Sequence, residues 1–306
     1  MGLRQHRLPS WQLFVIAVAI WSTTWHAILY QLAHTTPEFG VALRFGLAGA
    51  LVLAFAAMRG DRLHCTPRQH ALLALQGVFL YSLSYLCVYH GETHVPSGLV
   101  AVGYSASPLV NGVGAWLLWR TPIPLRFIAG GGLCIVGVTL IFWPEFARVT
   151  QSDKTTLGAV FTISAVLLSS VGSLASSRNS KHQLRFWPAL GWGMLYGAAL
   201  TFIVAVASGQ PLALPSAPSW WWSLAYLSIA GSVIAFACYL ALQERVGPGA
   251  ASTVGVMTPV FALVVSALFE GFRPVALTWL GALLAVAGNA LILAPKFKPA
   301  DARAAG

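Results

Sequence analysis

Apolar residues come in long runs, at roughly 11–32, 38–58, 70–91, 97–119, 125–143, 156–177, 187–207, 219–241, 249–269 and 275–294. Each is near the length of about 20 residues that a helix needs to cross the hydrocarbon core of a bilayer. Turn signals separate them: Thr36-Pro37, Pro67, Pro96-Ser97-Gly98, Pro122 with Pro124, Pro144, the stretch from Pro211 to Pro218, Gly247-Pro248-Gly249 and Pro274. The pattern predicts an all-α integral membrane protein of ten transmembrane helices. The runs 97–119 and 125–143 are so close that they predict a tight antiparallel hairpin.

Composition agrees. Of 306 residues, 57% are hydrophobic and 8% charged, whereas a soluble domain averages about 25% charged. Mean hydropathy is +0.73. Ten spans with short loops leave no length for a soluble catalytic or nucleic-acid-binding domain. The net charge of +10 would suggest a nucleic-acid partner in a soluble protein. Here the cations occupy short loops between apolar runs, which is the pattern that orients membrane proteins.

With the N-terminus placed in the cytoplasm, Arg4, Arg7, Arg59, Arg62, Arg68, Arg120, Arg126, Arg178, Lys181, Arg185, Arg245, Lys296, Lys298 and Arg303 share the cytoplasmic side. Only Arg148, Lys154 and Arg273 fall opposite, and Arg44 lies within a helix. That bias predicts a multi-pass membrane protein with both termini cytoplasmic. The run from Trp11 to about Leu32 is too long for a signal peptide, and no A-x-A site ends it, so it reads as the first membrane helix.

Sliding the chain by 151 residues brings Val95 onto Val246, Gly98 onto Gly249, Pro108 onto Pro259, Gly130 onto Gly281 and Gly137 onto Gly288. Leu117 falls on Leu268, Leu133 on Leu284, Leu140 on Leu291, Ile141 on Ile292 and Cys87 on Cys238, with no gap. The chain therefore divides into two five-helix repeats, 1–150 and 151–306. An odd helix count makes the second enter the membrane from the opposite side, so the repeats are inverted. Secondary transporters recur on this plan, with a substrate site near the midplane between halves.

Several segments resemble the drug/metabolite transporter superfamily, in particular its EamA-type ten-helix members. They are Trp21-Ser22-Thr23-Thr24-Trp25, the stretch from Pro37 to Arg44-Phe45, Ala106-Ser107-Pro108, Thr258-Pro259 and Glu270-Gly271. Within that superfamily the Trp and Tyr placement is most similar to bacterial aromatic amino acid exporters. The resemblance implies efflux of aromatic amino acids across the inner membrane. It also implies a central cavity formed by helices one to four and six to nine, with five and ten peripheral. One departure is that the first-half counterpart of Glu270 is Trp119, so an acidic residue common at that position is missing.

An ionisable group at membrane depth costs about 2.5–3.5 kcal/mol on insertion scales, so it marks function by default. The acidic residues, Glu38, Asp61, Glu92, Glu145, Asp153, Glu244, Glu270 and Asp301, all fall at or near helix ends or in loops. No buried carboxylate is expected to serve as a proton relay. The cavity is expected to lack the cations that a phosphorylated substrate would want. Arg44 reads as snorkelling outward or pairing with Glu38 rather than as binding substrate. His26 is either a polar site group or a packing residue bonded to a neighbouring helix.

Aromatic and small polar residues form stripes at helical spacing. Trp21 with Trp25, Tyr81 with Tyr85 and Tyr89, Tyr104 with Ser107 and Asn111, Ser169 with Ser173, Trp192 with Tyr196, and Ser232 with Phe236 and Tyr239 each share a face. The candidate substrate-binding set is Trp21, Trp25, His26, Tyr81, Tyr85, Tyr104, Ser107, Asn111, Ser173, Trp192, Phe236 and Tyr239. Rings stack on a planar solute while hydroxyls take its ammonium or carboxylate. Plain helix packing uses the same residue types. Pro108 and Pro259 free the carbonyls of Tyr104 and Gly255, at a cost of about 3 kcal/mol each. They read as paired hinges, or as static kinks inherited by duplication.

Trp11, Trp116, Trp119, Trp143, Trp187 and Trp220-Trp221-Trp222 suit interfacial belts. Gly193 with Gly197, and Gly130 to Gly132 with Gly137, read as packing or homodimer surfaces. Cys65, Cys87, Cys134 and Cys238 show no metal spacing and no cofactor motif is present, so neither metal nor cofactor is expected. No acid/base cluster points to an enzyme, and no GxxxxGK[ST] is present, so an ATPase would be a separate chain. The reading is a secondary exporter of aromatic or other neutral amino acids working by alternating access. Broad drug or metabolite efflux and a permease partner of a separate ATPase are the alternatives.

Overall fold

The computed structural model describes residues 8–95, 97–149, 153–181, 184–269 and 275–293, and no strand occurs among them. The helices are α1 (Ser10–Leu32), α2 (Pro37–Met58), α3 (Pro67–Gly77), α4 (Ser84–His94), α5 (Ser97–Gly103), α6 (Ser107–Trp119) and α7 (Leu125–Val149). They are followed by α8 (Asp153–Lys181), α9 (Phe186–Ala207), α10 (Pro218–Tyr226), α11 (Ala235–Val246), α12 (Pro248–Ala251), α13 (Thr253–Phe269) and α14 (Ala276–Leu293). Between α3 and α4 the backbone widens into a π-helical segment, Val78–Leu83, and between α10 and α11 into another, Leu227–Ile234. A 3₁₀ turn, Tyr104–Ala106, joins α5 to α6.

Helix starts follow from local chemistry. Thr36 accepts a hydrogen bond from the Phe39 amide at 3.4 Å, with Pro37 just inside the helix. Thr66 and Gln69 form a reciprocal capping box of 3.3 and 2.8 Å, again ahead of an initial proline, Pro67. Both satisfy amides that a new helix leaves open. Gly247, at φ 85°, reverses the chain between α11 and α12 in a conformation that L side chains resist.

Among the described residues, seven helical stretches are long and apolar enough to cross a membrane, and Leu125–Ile141 is a shorter apolar helix. The expected spans at 97–119 and 249–269 are not unbroken helices of that length. The 3₁₀ turn interrupts the first, and Ser252 separates α12 from α13 in the second. The Glu270-Gly271 end of the expected ninth helix lies outside the described residues. The outer face carries large apolar side chains, among them Leu117, Ile163, Ile203 and Leu283. Water would drive such a surface to aggregate, whereas lipid solvates it.

The most extensive helix contact joins α7 and α14. A Cβ on Gly130 would lie 2.6 Å from the Gly288 carbonyl, and one on Gly137 would lie 2.6 Å from the Gly281 carbonyl. Between them Cys134 Sγ donates to the Ala285 carbonyl at 3.6 Å. Small residues allow backbones this close, and dispersion then holds the helices together. Gly193 and Gly197 are likewise spent within the chain, against Gln76, Gly77 and Tyr81.

Contacts recur at the 151-residue spacing. Trp21 Nε1 donates to the Gly231 carbonyl at 3.0 Å, while Gly172 packs on the Leu80 backbone. Adding 151 to 21 and to 80 gives 172 and 231, so the second contact is the image of the first. The π-helical segment at 78–83 maps in the same way onto 229–234, inside the other.

Candidate functional site

A cavity of about 100 Å³ sits among α1, α2, α4, α6, α8, α11 and α13. α1 presents Trp21, Thr24, Trp25 and Ile28, one face of a 3.6-residue helix. Leu80 from the π segment and Tyr85 and Val88 from α4 form a second side. Tyr104, Ser107 and Asn111 line it around the 3₁₀ break, and Ser252, Gly255 and Thr258 line it around the second break. The breaks face each other: a Cβ on Gly255 would lie 3.3 Å from the Tyr104 carbonyl.

The wall is mainly aromatic. Trp21 meets Phe236 at 5.0 Å and Tyr239 at 5.3 Å between ring centres, and Trp25 meets Tyr104 edge-on at 5.8 Å. These are favourable aromatic separations.

Arg44 sits in this wall and is only 1% exposed. Its Nε donates to Ser232 Oγ at 2.9 Å and its Nη1 to Tyr89 OH at 3.4 Å. The guanidinium lies 4.8 Å over the Tyr85 ring and 5.2 Å over Phe45. Tyr89 OH donates onward to Gln31 Oε1 at 2.7 Å. Arg44 therefore does not snorkel. Nor does it pair with Glu38, whose Oε1 lies 2.6 Å from His90 Nε2. Arg44, expected to be structural rather than substrate-binding, lines the cavity. The widened backbone of the second π segment carries both Ser232 and the Gly231 carbonyl toward α1 and α2, a placement typical of π segments at functional sites.

Three cavity groups are buried without a hydrogen-bond partner: Trp25 Nε1, Ser107 Oγ and Asn111 Oδ1. Leaving such a group unmade costs about 1–3 kcal/mol each. The other side of Asn111 is fixed, because Nδ2 donates to the Ser107 carbonyl at 3.1 Å and to Ser252 Oγ at 2.7 Å.

Of the expected set, Trp21, Trp25, Tyr85, Tyr104, Ser107, Asn111, Phe236 and Tyr239 line the cavity. Four do not. Ser173 lies one layer away, bonded to Tyr239 OH at 3.1 Å and Gln243 Oε1 at 2.6 Å, and Ser169 lines the wall instead. Tyr81 is buried below the cavity against Phe45 and Phe236, its OH accepting from Gln76 at 3.4 Å. Tyr81 and Tyr85 share Phe45 and Phe236 as ring partners, and Tyr85 and Tyr89 share Arg44, but of the three only Tyr85 lines the cavity. His26 points outward and meets the Tyr30 ring at 5.5 Å. Trp192 donates to the Leu63 carbonyl at 3.0 Å, outside the cavity, beside Tyr196 and His70.

The prolines differ from the expected matched pair. Pro108 opens α6, and the Tyr104 carbonyl it would free accepts from the Ser107 amide. Pro259 lies inside an unbroken α13, and the break in that half falls seven residues earlier, at Ser252.

Glu92 was expected at a helix end, clear of the interior. Instead it is buried at 8% exposure, and neither carboxylate oxygen has a partner. Helix ends in sequence are not ends in depth when neighbouring helices overhang them. Arg44, Thr24, Ser169, Ser252 and Thr258 line the cavity although the expected binding set did not include them, and Glu92 is buried although it was expected at a helix end. The spacing of Thr24 from Trp21 and of Glu92 from Val88 was the available signal.

The protein PagO of Salmonella typhimurium is 25% identical over 268 residues, covering 85% of this chain and 84% of its own. The uncharacterized inner membrane transporter YedA of Escherichia coli K12 is 27% identical over 301 residues, covering 95% and 92%. The uncharacterized transporter YdfC of Bacillus subtilis is 21% identical over 278 residues, covering 89% and 87%. One solved crystal structure has a TM-score of 0.75 at 19% identity, over 93% of this chain and 96% of that one, and so shares the fold. The EamA-like transporter family matches twice, over residues 9–143 and 156–294. With nearly all of its length accounted for in two matching halves, this multi-pass membrane chain belongs to the EamA-like transporter family, within the drug/metabolite transporter superfamily.

Proposed function

We propose that the chain is a secondary transporter of small zwitterions with an apolar, typically aromatic, side chain: aromatic or other neutral amino acids. The observation that carries this reading is Arg44. It is a buried cation on a cavity wall, with no carboxylate in ion-pair contact among the described residues. A buried charge demands compensation, and a guanidinium matches a carboxylate in geometry. The rings of Trp21, Trp25, Tyr104 and Phe236 offer stacking faces for a side chain. Ser107 Oγ and Asn111 Oδ1 offer acceptors for an ammonium, and Trp25 Nε1 offers a donor.

We read α3 with α4, α5 with α6, α10 with α11 and α12 with α13 as single rods, giving ten in two inverted halves, 1–150 and 151–306. The paired contacts at a spacing of 151 and the two matching π segments support this. Both termini are placed in the cytoplasm on the bias of loop cations. Alternating access then rocks one half against the other around the cavity, with Tyr104–Pro108 and Ser252–Pro259 as the bending regions.

Counterflow in proteoliposomes tests the function. Labelled tryptophan, phenylalanine and leucine should exchange against the same unlabelled solutes, and tryptamine, which lacks the carboxylate, should not. Carriage of hydrophobic cations without amino acid exchange would instead indicate a broad efflux carrier.

A further inference from the structure

The two facing breaks are short of hydrogen-bond donors. Pro108 and Pro259 have no amide hydrogen. The Ser107 amide is used on the Tyr104 carbonyl, and the Gly255 amide on the Ser252 carbonyl at 2.9 Å. Acceptors are left over. Ser107 Oγ and Asn111 Oδ1 are buried on the cavity wall without a partner. The neighbours of Asn111 fix which end of its amide is free. The Ser107 carbonyl can only accept, and Ser252 Oγ gives its proton to the Pro248 carbonyl at 2.6 Å. Both therefore take Nδ2, and the oxygen is what Asn111 has left. Gly255 adds a third acceptor. Having no side chain, it meets the cavity with main chain only, and a Cβ there would lie 3.9 Å from Ser107 Oγ. Its carbonyl lacks the amide that would close a helical turn on it, because that residue is Pro259.

We infer that Ser107 Oγ, Asn111 Oδ1 and the Gly255 carbonyl are a binding site for a primary ammonium, one acceptor for each of its three N–H donors. This rests on the zwitterion reading above for its solute and adds a restriction to it: N-alkylated amines are rejected. Charge does not choose among these amines, since all are cations. The number of N–H donors does, because an acceptor buried against an alkyl group stays unsatisfied. A zwitterion adds no net charge to the cavity, so its ammonium needs hydrogen bonds here and no proton has to move. The ring faces of Trp25 and Tyr104 alone would give the opposite order, because an aromatic cage takes a quaternary ammonium readily.

Calorimetry on the purified protein with tryptophan and its N-methyl, N,N-dimethyl and N,N,N-trimethyl forms tests this, because every member is a zwitterion with the same ring. Affinity should fall by about tenfold at each methyl. Equal or rising affinity along the series overturns the proposal in favour of an aromatic cage. Ser107→Ala removes a hydroxyl oxygen that holds nothing else in the fold. Its tryptophan affinity should drop about tenfold, and the first methyl should then cost little. A Ser107→Ala protein that repeats the wild-type series overturns the three-acceptor site. Pro259→Ala returns an amide to the Gly255 carbonyl, so tryptophan should bind about tenfold more weakly at undiminished thermal stability. Unchanged affinity in that variant overturns the part given to Gly255. The same series built on tryptamine separates the two readings. Tryptamine that weakens with each methyl, beside tryptophan that binds no better, upholds the ammonium site and rejects the carboxylate role of Arg44. A protein that binds neither overturns both.

Discussion

Replacing Arg44 with methionine separates its role toward substrate from its role in packing. Methionine keeps an unbranched chain against Tyr85 and Phe45 but removes the charge. Of the five guanidinium N–H groups, Nε serves Ser232 and one on Nη1 serves Tyr89. The end-on pair from Nη1 and Nη2 is what remains for a carboxylate. A hydrogen bond to a charged group contributes about 1.5–3 kcal/mol net. Two imperfectly independent bonds then give about 3 kcal/mol, or roughly a hundredfold in affinity. Loss of the donors to Ser232 and Tyr89 harms every ligand alike, so the assay is a cycle of two proteins and two ligands. Affinities for tryptophan and tryptamine are measured by calorimetry at one pH on the wild type and on Arg44→Met. The wild type should prefer tryptophan by about a hundredfold, and the variant should not discriminate. A variant with the wild-type tryptophan-to-tryptamine ratio would refute the carboxylate role, whatever its overall affinity.

Other consequences are open to test. Trp25→Phe keeps the edge contact with Tyr104 and removes the unpartnered indole N–H, so tryptophan binding should weaken by about tenfold while thermal stability holds; unchanged affinity would remove that group from the site. Gly137→Val forces a side chain against the α14 backbone and should destabilise the detergent-solubilised protein by about 1–3 kcal/mol, whereas Gly132→Val, with open space at its Cβ, should be neutral. Pro108→Ala should slow counterflow more than it weakens binding, and equal turnover would rule out bending at that break. Cys65 lies in the loop between α2 and α3, and burial raises its thiol above the ordinary value. An impermeant maleimide should therefore label it from the cytoplasmic side only, with a rate still climbing as pH passes the usual thiol value; labelling from the opposite side alone would invert the topology.

Apolar runs and their proline and glycine boundaries located the helices, because lipid leaves the backbone no alternative to internal hydrogen bonding. The glycines at 130, 137, 281 and 288 were visible as a matched set, and they form the α7–α14 contact. Eight aromatic and small polar candidates reached the cavity because helical spacing alone puts them on one side of their own helix.

Which side of a helix faces the cavity depends on its neighbours, and spacing along one chain segment does not encode them. His26 and Trp192 follow the same spacing rules as Trp25 and Tyr104 yet face away. The second π segment, which no turn residue announces, carries Ser232 to Arg44. Position in the chain put Arg44 near one end of α2 and Glu92 near the end of α4, but their depth is set by the helices packed around them. Sequence alone thus determined that this chain must be a lipid-solvated helical bundle, since covalent hydrophobicity and backbone hydrogen bonding settle that locally. Only tertiary structure decided where its few charges lie, since burial is a property of surrounding helices and not of a residue's place along its own.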